Sequence, residues 1–268
     1  MHPIEHLRMV ARAEGAGPTL LAREAAGALG TFARESAALV TGCRRLIDRH
    51  PEVGPLWWLS ARVLVAPEPA LEIRRCADQL DSDDTAPVLA AELPGSVTTV
   101  VVGWPEQAAW ALRRRGDVEV LAVDYDGEGR DLARRLSASG VDIWEVSASG
   151  AGAAVVVSGL VLLEAVSAGP TGILAAPGSH AVAAVARRAG VPVWAVAGVG
   201  RVLPARLWEA QLSRLDGTGI EPWERSTELV PVDLIDRVIG PDGARAGADL
   251  ARGADCPVAP ELLRAANL

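Results

Sequence analysis

The stretch "GLVLLEAVSAGPTGILAAPGSHAVAAVARRAGVPVWAV" at residues 159–196 decides the fold. It opens with a short, almost wholly apolar run and continues through a loop of small residues. Helical spacing follows over "SHAVAAVARRAG", and a second apolar run closes the stretch. This order predicts parallel strands whose two faces are both covered. Loops of this kind usually hold a ligand. This one carries almost no side chain that can bind one.

Similar apolar runs recur from about residue 95 onward. "TTVVVGW", "VEVLAVD" and "VDIWEVS" precede the opening stretch and are rich in Val, Ile and Trp. Between them lie the helical segments "PEQAAWALRRRG" and "EGRDLARRLSASG", each ending in the helix stop Gly. The alternation predicts a Rossmann-like, doubly wound, mostly parallel sheet, which is an α/β fold with its ligand site beyond the carboxyl ends of the strands.

The chain before residue 95 has a helical period instead. A first helix is predicted over residues 4–14, with Ile4, Leu7 and Val10 on one face. Further helical segments are "GPTLLAREAAGALGTFARES", "SAALVTGCRRLIDRH", "VGPLWWLSARVLV" and "PEPALEIRRCADQLDSDDTAPVLAAEL". We therefore expect an all-α N-terminal domain over residues 1–94 and a Rossmann-like α/β domain over residues 95–268.

Composition excludes several classes of function. The chain has 268 residues, a formal net charge of -8 and no lysine. Schiff-base lysines and the lysine of a phosphate loop are therefore absent. The acidic balance argues against general nucleic-acid binding, because phosphate neutralisation needs basic residues in excess. Three well-separated cysteines show neither a disulfide framework nor zinc spacing. With no signal peptide and no membrane-spanning run, the sequence predicts a cytoplasmic protein.

No cofactor or metal is expected either. "VVVGWPEQ" follows the first strand in place of the glycine fingerprint of dinucleotide-binding domains. Of the four histidines only His2 and His6 have metal-like spacing, and they lie near a terminus. Asp124 ends a strand as the ribose-binding acid of such domains does, and the alternative for it is the cap of a helix.

Four segments, in order, resemble one family. They are "HPEVGPLWWLSARVL" (50–64), residues 118–165, the opening stretch, and "STELVPVDLIDRVIGPDG" (226–243). Together they are similar to the α, β and δ regulatory subunits of eukaryotic translation initiation factor 2B. Their superfamily also holds methylthioribose-1-phosphate and ribose-1,5-bisphosphate isomerases. The resemblance implies a Rossmann-like, CoA-transferase-like fold and a homodimer formed through the α/β domain.

The chain departs from the isomerases where their chemistry lies. Trp104 stands about where they carry a cysteine, and Ala165 falls on their acid/base aspartate. Ala175 and Ala176 replace an Asn-Lys pair, and His50 replaces a phosphate-binding arginine.

Two further family arginines are missing, one from "EGAGP" (14–18) and one from "VDYDGEG". Arg62 alone matches a basic position of the family. Isomerisation of an aldose to a ketose needs a proton carrier, and the phosphate needs cationic donors. Their joint loss predicts a protein that is not an isomerase and resembles the non-catalytic regulatory subunits.

Two functions stay open at this stage. The first is a non-catalytic protein that binds a nucleotide or sugar phosphate, or that serves as an assembly or regulatory module. The second is a diverged sugar-phosphate isomerase with Glu164 as base and Arg201 or Arg62 on the phosphate. No nucleic acid or membrane partner is expected. The candidate ligand-binding residues are Glu164, Ser179, His180, Arg201, Asp124, Asp126, Arg62 and Trp104, with Glu164 the candidate catalytic residue.

Overall fold

A layer of helices forms the first part of the described chain. The computed structural model describes residues 17–252 and 254–263, so the helix expected over residues 4–14 and the pair His2 and His6 lie outside it. The helices are α1 (Pro18–Gly30), α2 (Ser36–Arg49), α3 (Gly54–Val65), α4 (Pro69–Asp81) and α5 (Thr85–Glu92). Proline in the first turn favours the starts of α1, α3 and α4, because its φ is already helical. The helical region predicted before residue 95 is confirmed for the described residues.

A mostly parallel sheet occupies the rest of the chain. Its strands are β1 (Thr98–Val102), β2 (Glu119–Asp124), β3 (Asp142–Ser147), β4 (Leu160–Glu164), β7 (Val193–Val196), β9 (Arg237–Gly240) and β10 (Gly243–Ala246). They lie in the order β10-β9-β7-β4-β1-β2-β3, and only β10 runs antiparallel to its neighbour. In register, Val161 of β4 pairs with Val193 of β7, so the two apolar runs of the opening stretch are neighbours. The predicted parallel α/β fold is confirmed.

Helices cover both faces of this sheet. They are α6 (Glu106–Arg115), α7 (Glu128–Ser137), α8 (Ala151–Val157) and α9 (Ser179–Ala189). Helix α10 (Ala205–Asp216) packs instead into the core of the helical layer. Gly116 and Gly190 end α6 and α9 in the left-handed conformation, as their sequence predicts. No helix of the described residues is long and apolar enough to cross a membrane.

The loop expected after β4 supplies two of the three strands of a small second sheet. Its antiparallel strands are β5 (Ser167–Gly169), β6 (Gly172–Ala175) and β8 (Glu228–Pro231). The prediction of a plain loop was therefore wrong. These strands are too short to show a period, and β6 is paired by β8, which lies far along the chain. The strands also approach closely, since a Cβ on Gly172 would lie 2.2 Å from the carbonyl oxygen of Val230.

The core beneath the helical layer includes the end of the chain. Buried side chains of α1 to α4 form one apolar cluster. Leu207 and Trp208 of α10 belong to the same cluster, as do Cys256, Ala259 and Leu262. Two hydrogen bonds fix the chain end in place: the indole N–H of Trp58 donates to the Asp255 carbonyl at 2.7 Å, and Arg44 donates to that of Glu261 at 2.8 Å. The helices and residues 255–262 thus share one packed interior.

Candidate functional site

A cavity of about 560 Å³ opens at the carboxyl ends of β1, β2 and β4. Five of the predicted site residues line it, namely Glu164, Ser179, Arg201, Asp126 and Trp104. Its remaining walls come from the start of α1, the turn before α3, and the residues just before β8. The other lining residues are Gly17, Pro18, Glu52, Val53, Val102, Pro105, Glu106, Gly127, Glu128, Arg130, Asp131, Val166, Ala176, Ser226 and Thr227.

Glu164 is the last residue of β4, and both of its carboxylate oxygens have partners. One oxygen lies 2.9 Å from Nη1 of Arg201. The other accepts hydrogen bonds from the backbone N–H groups of Gln107 and Ala108, at 2.8 and 3.1 Å. Burial raises the pKa of Glu164, and the guanidinium of Arg201 and the two N–H donors oppose that rise. The carboxylate therefore serves as the cap of α6, whose own N-cap residue is Pro105.

Arg201 is buried beside Glu164, with 1% of its side chain exposed against 8% for Glu164. Its Nη1 also donates to the carbonyl of Ala165 at 2.6 Å, and Nη2 donates to the hydroxyl of Thr19 in α1 at 3.4 Å. Nε has no hydrogen-bond partner in the described part of the chain. Arg201 thus joins the sheet edge to the first helix of the helical layer.

Ser179 and His180 begin α9 but face different surroundings. Gly178 occupies the N-cap position in the left-handed conformation, so Ser179 is the first helical residue and not the cap. Ser179 is buried at the cavity wall. His180 is exposed, and its backbone N–H donates to Oε1 of Glu228 at 2.6 Å. The structure places Ser179 in the site and leaves His180 outside the cavity lining.

The two aspartates after β2 also separate. Asp124 accepts a hydrogen bond from the backbone N–H of Arg130 at 3.0 Å, near the start of α7. This matches the capping alternative for Asp124, which does not line the cavity. Asp126 is exposed at the cavity rim and has a positive φ of 55°.

Arg62 lies in the helical layer and is not among the residues that line the cavity. Its guanidinium pairs with Glu72 at 2.5 Å and with Asp255 at 2.6 Å, and it stacks over the ring of Trp58. These partners account for the one basic position that matches the family. Arg62 therefore ties α3 to α4 and to the end of the chain.

Two of the residues that the sequence resemblance places at reactive positions of the isomerases line the cavity. The guanidinium carbon of Arg135 lies over the Trp104 ring, 5.5 Å from the ring centroid. Trp104 lines the cavity, and its backbone N–H lies 3.3 Å from Oε2 of Glu128. Ala176 also lines it, while Ala165 and Ala175 are buried.

Carboxylates outnumber cations in the lining. The acids are Glu52, Glu106, Asp126, Glu128, Asp131 and Glu164, against the cations Arg130 and Arg201. Arg201 is paired with Glu164, and Arg130 lies 3.1 Å from Glu145 outside the cavity. Burial raises the pKa of Glu52. No group of three or more His, Cys, Asp or Glu side chains among the described residues is arranged to hold a metal ion.

Three lining residues were not predicted from the sequence, namely Glu52, Glu106 and Thr227. Glu106 follows β1, so it could have been predicted from the rule that ligand sites form at the carboxyl ends of strands. Glu52 and Thr227 could not, because they come from the turn before α3 and from the residues before β8, which only the fold brings together.

No protein-family model matches the sequence, and no curated protein matches it significantly. Solved structures do match. The translation initiation factor eIF-2B of Pyrococcus horikoshii OT3 is 16% identical, with a TM-score of 0.74 over 91% of this chain and 96% of that one. In the tetrameric eIF2B-beta2-delta2 complex from C. thermophilum, the matching chain is 17% identical, with a TM-score of 0.75 over 93% and 92% of the two chains. The eIF2B beta structure from Chaetomium thermophilum is 17% identical, with a TM-score of 0.72 over 98% and 92%. The likeness confirms the fold that the sequence resemblance implied.

Proposed function

We propose that this chain is a non-catalytic member of the group resembling initiation factor 2B subunits, and that it acts as an assembly or regulatory module. The state of Glu164 is the observation that carries the proposal. A general base needs a free carboxylate oxygen facing the substrate. Both oxygens of Glu164 are engaged, one by Arg201 and one by two backbone N–H groups of α6.

The alternative, a diverged sugar-phosphate isomerase, is weakened at each of its proposed groups. Arg201 is buried against Glu164 and Ala165. Arg62 is held by Glu72 and Asp255 away from the cavity. Alanine occupies positions 165, 175 and 176, where the isomerases carry their acid and their Asn-Lys pair. None of the groups that the isomerase alternative assigned as base or phosphate ligand is therefore free to act on a sugar phosphate.

The charge of the lining also disfavours the phosphorylated ligand that the sequence left open. Six carboxylates and two paired arginines surround the cavity. Phosphate binding needs cations or backbone N–H groups in excess of acids. The N–H groups at the start of α6 are already taken by Glu164. We therefore propose the assembly or regulatory role without a nucleotide or sugar-phosphate ligand.

The three cysteines support a location in the reducing cytoplasm. Cys43, Cys76 and Cys256 are free and buried. Burial raises the pKa of each thiol to about 12, so none forms a reactive thiolate near neutral pH. They serve as small apolar residues of the core.

Assembly is the part of the proposal with a precedent among the similar structures. One of them is a tetrameric beta2-delta2 complex. We expect this chain to form a homodimer through its α/β domain, so sedimentation equilibrium should give twice the mass of one chain. A strictly monomeric protein at micromolar concentration would contradict this.

Turnover tests the non-catalytic part. Purified protein incubated with methylthioribose 1-phosphate or ribose 1,5-bisphosphate should form no ketose product above a protein-free blank. Product that appears with the wild-type chain and decreases in Glu164→Gln, with both proteins folded by thermal melting, would favour the isomerase instead.

A further inference from the structure

The cavity retains buried polar groups that its own protein partners leave unused. Ser179 and Thr227 are 1% and 6% exposed, and both line the cavity. Neither hydroxyl has a hydrogen-bond partner in the described part of the chain. Both hydroxyls are open to the cavity while the rest of each side chain is buried, so a molecule bound there would supply bonds that the protein does not.

The two hydroxyls occupy the same corner of the cavity. Ser179 opens α9, and Thr227 directly precedes β8. The bond from the N–H of His180 to Glu228, the residue after Thr227, joins these two elements. A ligand with oxygen atoms can therefore contact both hydroxyls from one side.

The carboxylates come from other walls of the cavity. Glu52 precedes α3, Glu106 begins α6, and Asp126 follows β2. None of these three has a cationic side chain within ion-pair distance in the described residues. Glu106 lies against Gly17, where a Cβ would come within 2.4 Å of its carboxyl carbon. The lining thus holds three carboxylates without an ion-pair partner, while its two arginines are paired with Glu145 and Glu164.

A metal ion does not fit this arrangement, because the described acids form no metal-ligating group of three. An anion does not fit either, because like charges within a partly desolvated cavity repel strongly. An organic cation with hydroxyl groups meets both features: its ammonium group offsets the carboxylates, and its hydroxyls bond Ser179 and Thr227.

We propose that the cavity binds a small hydroxylated amine, with the ammonium group towards Glu52, Glu106 and Asp126 and the hydroxyls towards Ser179 and Thr227. This proposal rests on the proposed non-catalytic role and deepens it, because it gives the cavity a regulatory ligand of opposite charge to a sugar phosphate. The cavity volume of about 560 Å³ accommodates a chain of six carbons with its substituents.

Three probes of one carbon skeleton test the proposal by titration calorimetry at pH 7 and low salt. Glucamine carries a positive charge, sorbitol is neutral, and sorbitol 6-phosphate is negative. Glucamine should bind at least about tenfold tighter than sorbitol, a difference of about 1.4 kcal/mol, and sorbitol 6-phosphate should bind weaker than sorbitol. Equal or tighter binding of sorbitol 6-phosphate, or no heat from glucamine at millimolar concentration, would overturn the proposal.

Two kinds of variant separate the contribution of the carboxylates from that of the hydroxyls. Glu52→Gln keeps the shape of the side chain and should reduce the preference for glucamine over sorbitol several-fold. Asp142→Asn, an equal change of charge on exposed β3, should leave it unchanged. Ser179→Ala or Thr227→Val should weaken glucamine and sorbitol alike. An unchanged preference in a folded Glu52→Gln protein would count against the cation site.

Failure of this proposal and failure of the proposed function give different signals. Turnover of a sugar phosphate would end the non-catalytic role. The titration measures the charge preference of the cavity whether or not turnover occurs.

Discussion

Glu164 gives α6 a cap that the sequence of α6 lacks. Pro105 stands at the N-cap and has no side-chain oxygen to offer the first N–H groups of the helix. The carboxylate reaches them from β4, and Arg201 offsets its charge. An acid at the end of an apolar strand thus caps a helix whose own sequence offers no cap. Its proximity to Arg201 could be anticipated, since both follow strands at one edge, but the N–H partners from α6 could not.

Replacing Glu164 should therefore affect stability more than chemistry. Glu164→Gln leaves the guanidinium of Arg201 buried without a counter-ion, so we expect a loss of about 3–5 kcal/mol in the free energy of unfolding. Urea denaturation measures it. Glu145→Gln, which removes the exposed partner of Arg130, should have a far smaller effect, because water screens exposed ion pairs. Equal losses in the two variants would mean that the buried pair carries no special weight.

Replacing Glu52 should have the opposite effect on stability. Because burial raises its pKa, the folded state binds the proton more tightly than the unfolded state does. Ionised Glu52 thus destabilises the fold as pH rises above the unfolded pKa of about 4.3. Glu52→Gln should raise the melting temperature at pH 7, and the gain should vanish near pH 3.5. A gain that stays constant over this range would show that ionisation is not its cause.

At the scale of elements, helix α9 shows what periodicity reveals and what it omits. Its apolar face and its closing Gly190 were readable from the sequence. The strands β5 and β6 before it were not, because three or four small residues carry no period and their partner β8 lies about 55 residues away. Helix α8 was also missed, since "AAVVVSG" reads equally well as part of an apolar run.

The two glycines at the ends of α9 provide a matched pair for mutation. Both Gly178 and Gly190 have a positive φ, which disfavours any side chain by about 1 kcal/mol. A Cβ on Gly178 would also lie 2.0 Å from the ring of Tyr125, whereas one on Gly190 meets nothing within 4 Å. Gly178→Ala should therefore lower the free energy of unfolding by about 1–3 kcal/mol more than Gly190→Ala. Similar losses would indicate that the Tyr125 ring moves aside freely.

At the scale of the whole molecule, the α/β part leaves an apolar face exposed. Trp144 of β3 and Val156 and Val157 of the adjacent α8 are 60%, 63% and 72% exposed. Exposed apolar groups that lie together mark interaction surfaces. We expect the homodimer contact at this face. The order of the helices and strands along the sequence did not indicate where that contact lies.

Val157→Glu should convert the dimer into a monomer in light scattering, because it places a charge in the interface. Val65→Glu alters an exposed valine of the helical layer and should leave the mass unchanged. A dimer that survives Val157→Glu would place the interface elsewhere on the α/β domain.

The sharing of the helical core with the end of the chain sets an order of events during synthesis. Helices α1 to α4 leave the ribosome first, yet their interior lacks Leu207 and Trp208 until α10 is made. It also lacks Leu262 and the Asp255 carbonyl, which accepts the indole N–H of Trp58, until residues 255–262 emerge. For most of translation the nascent helices therefore hold apolar surface without its native cover. Residues 255–262 therefore complete the helical core, and a chain that stops before them would be a client of chaperones.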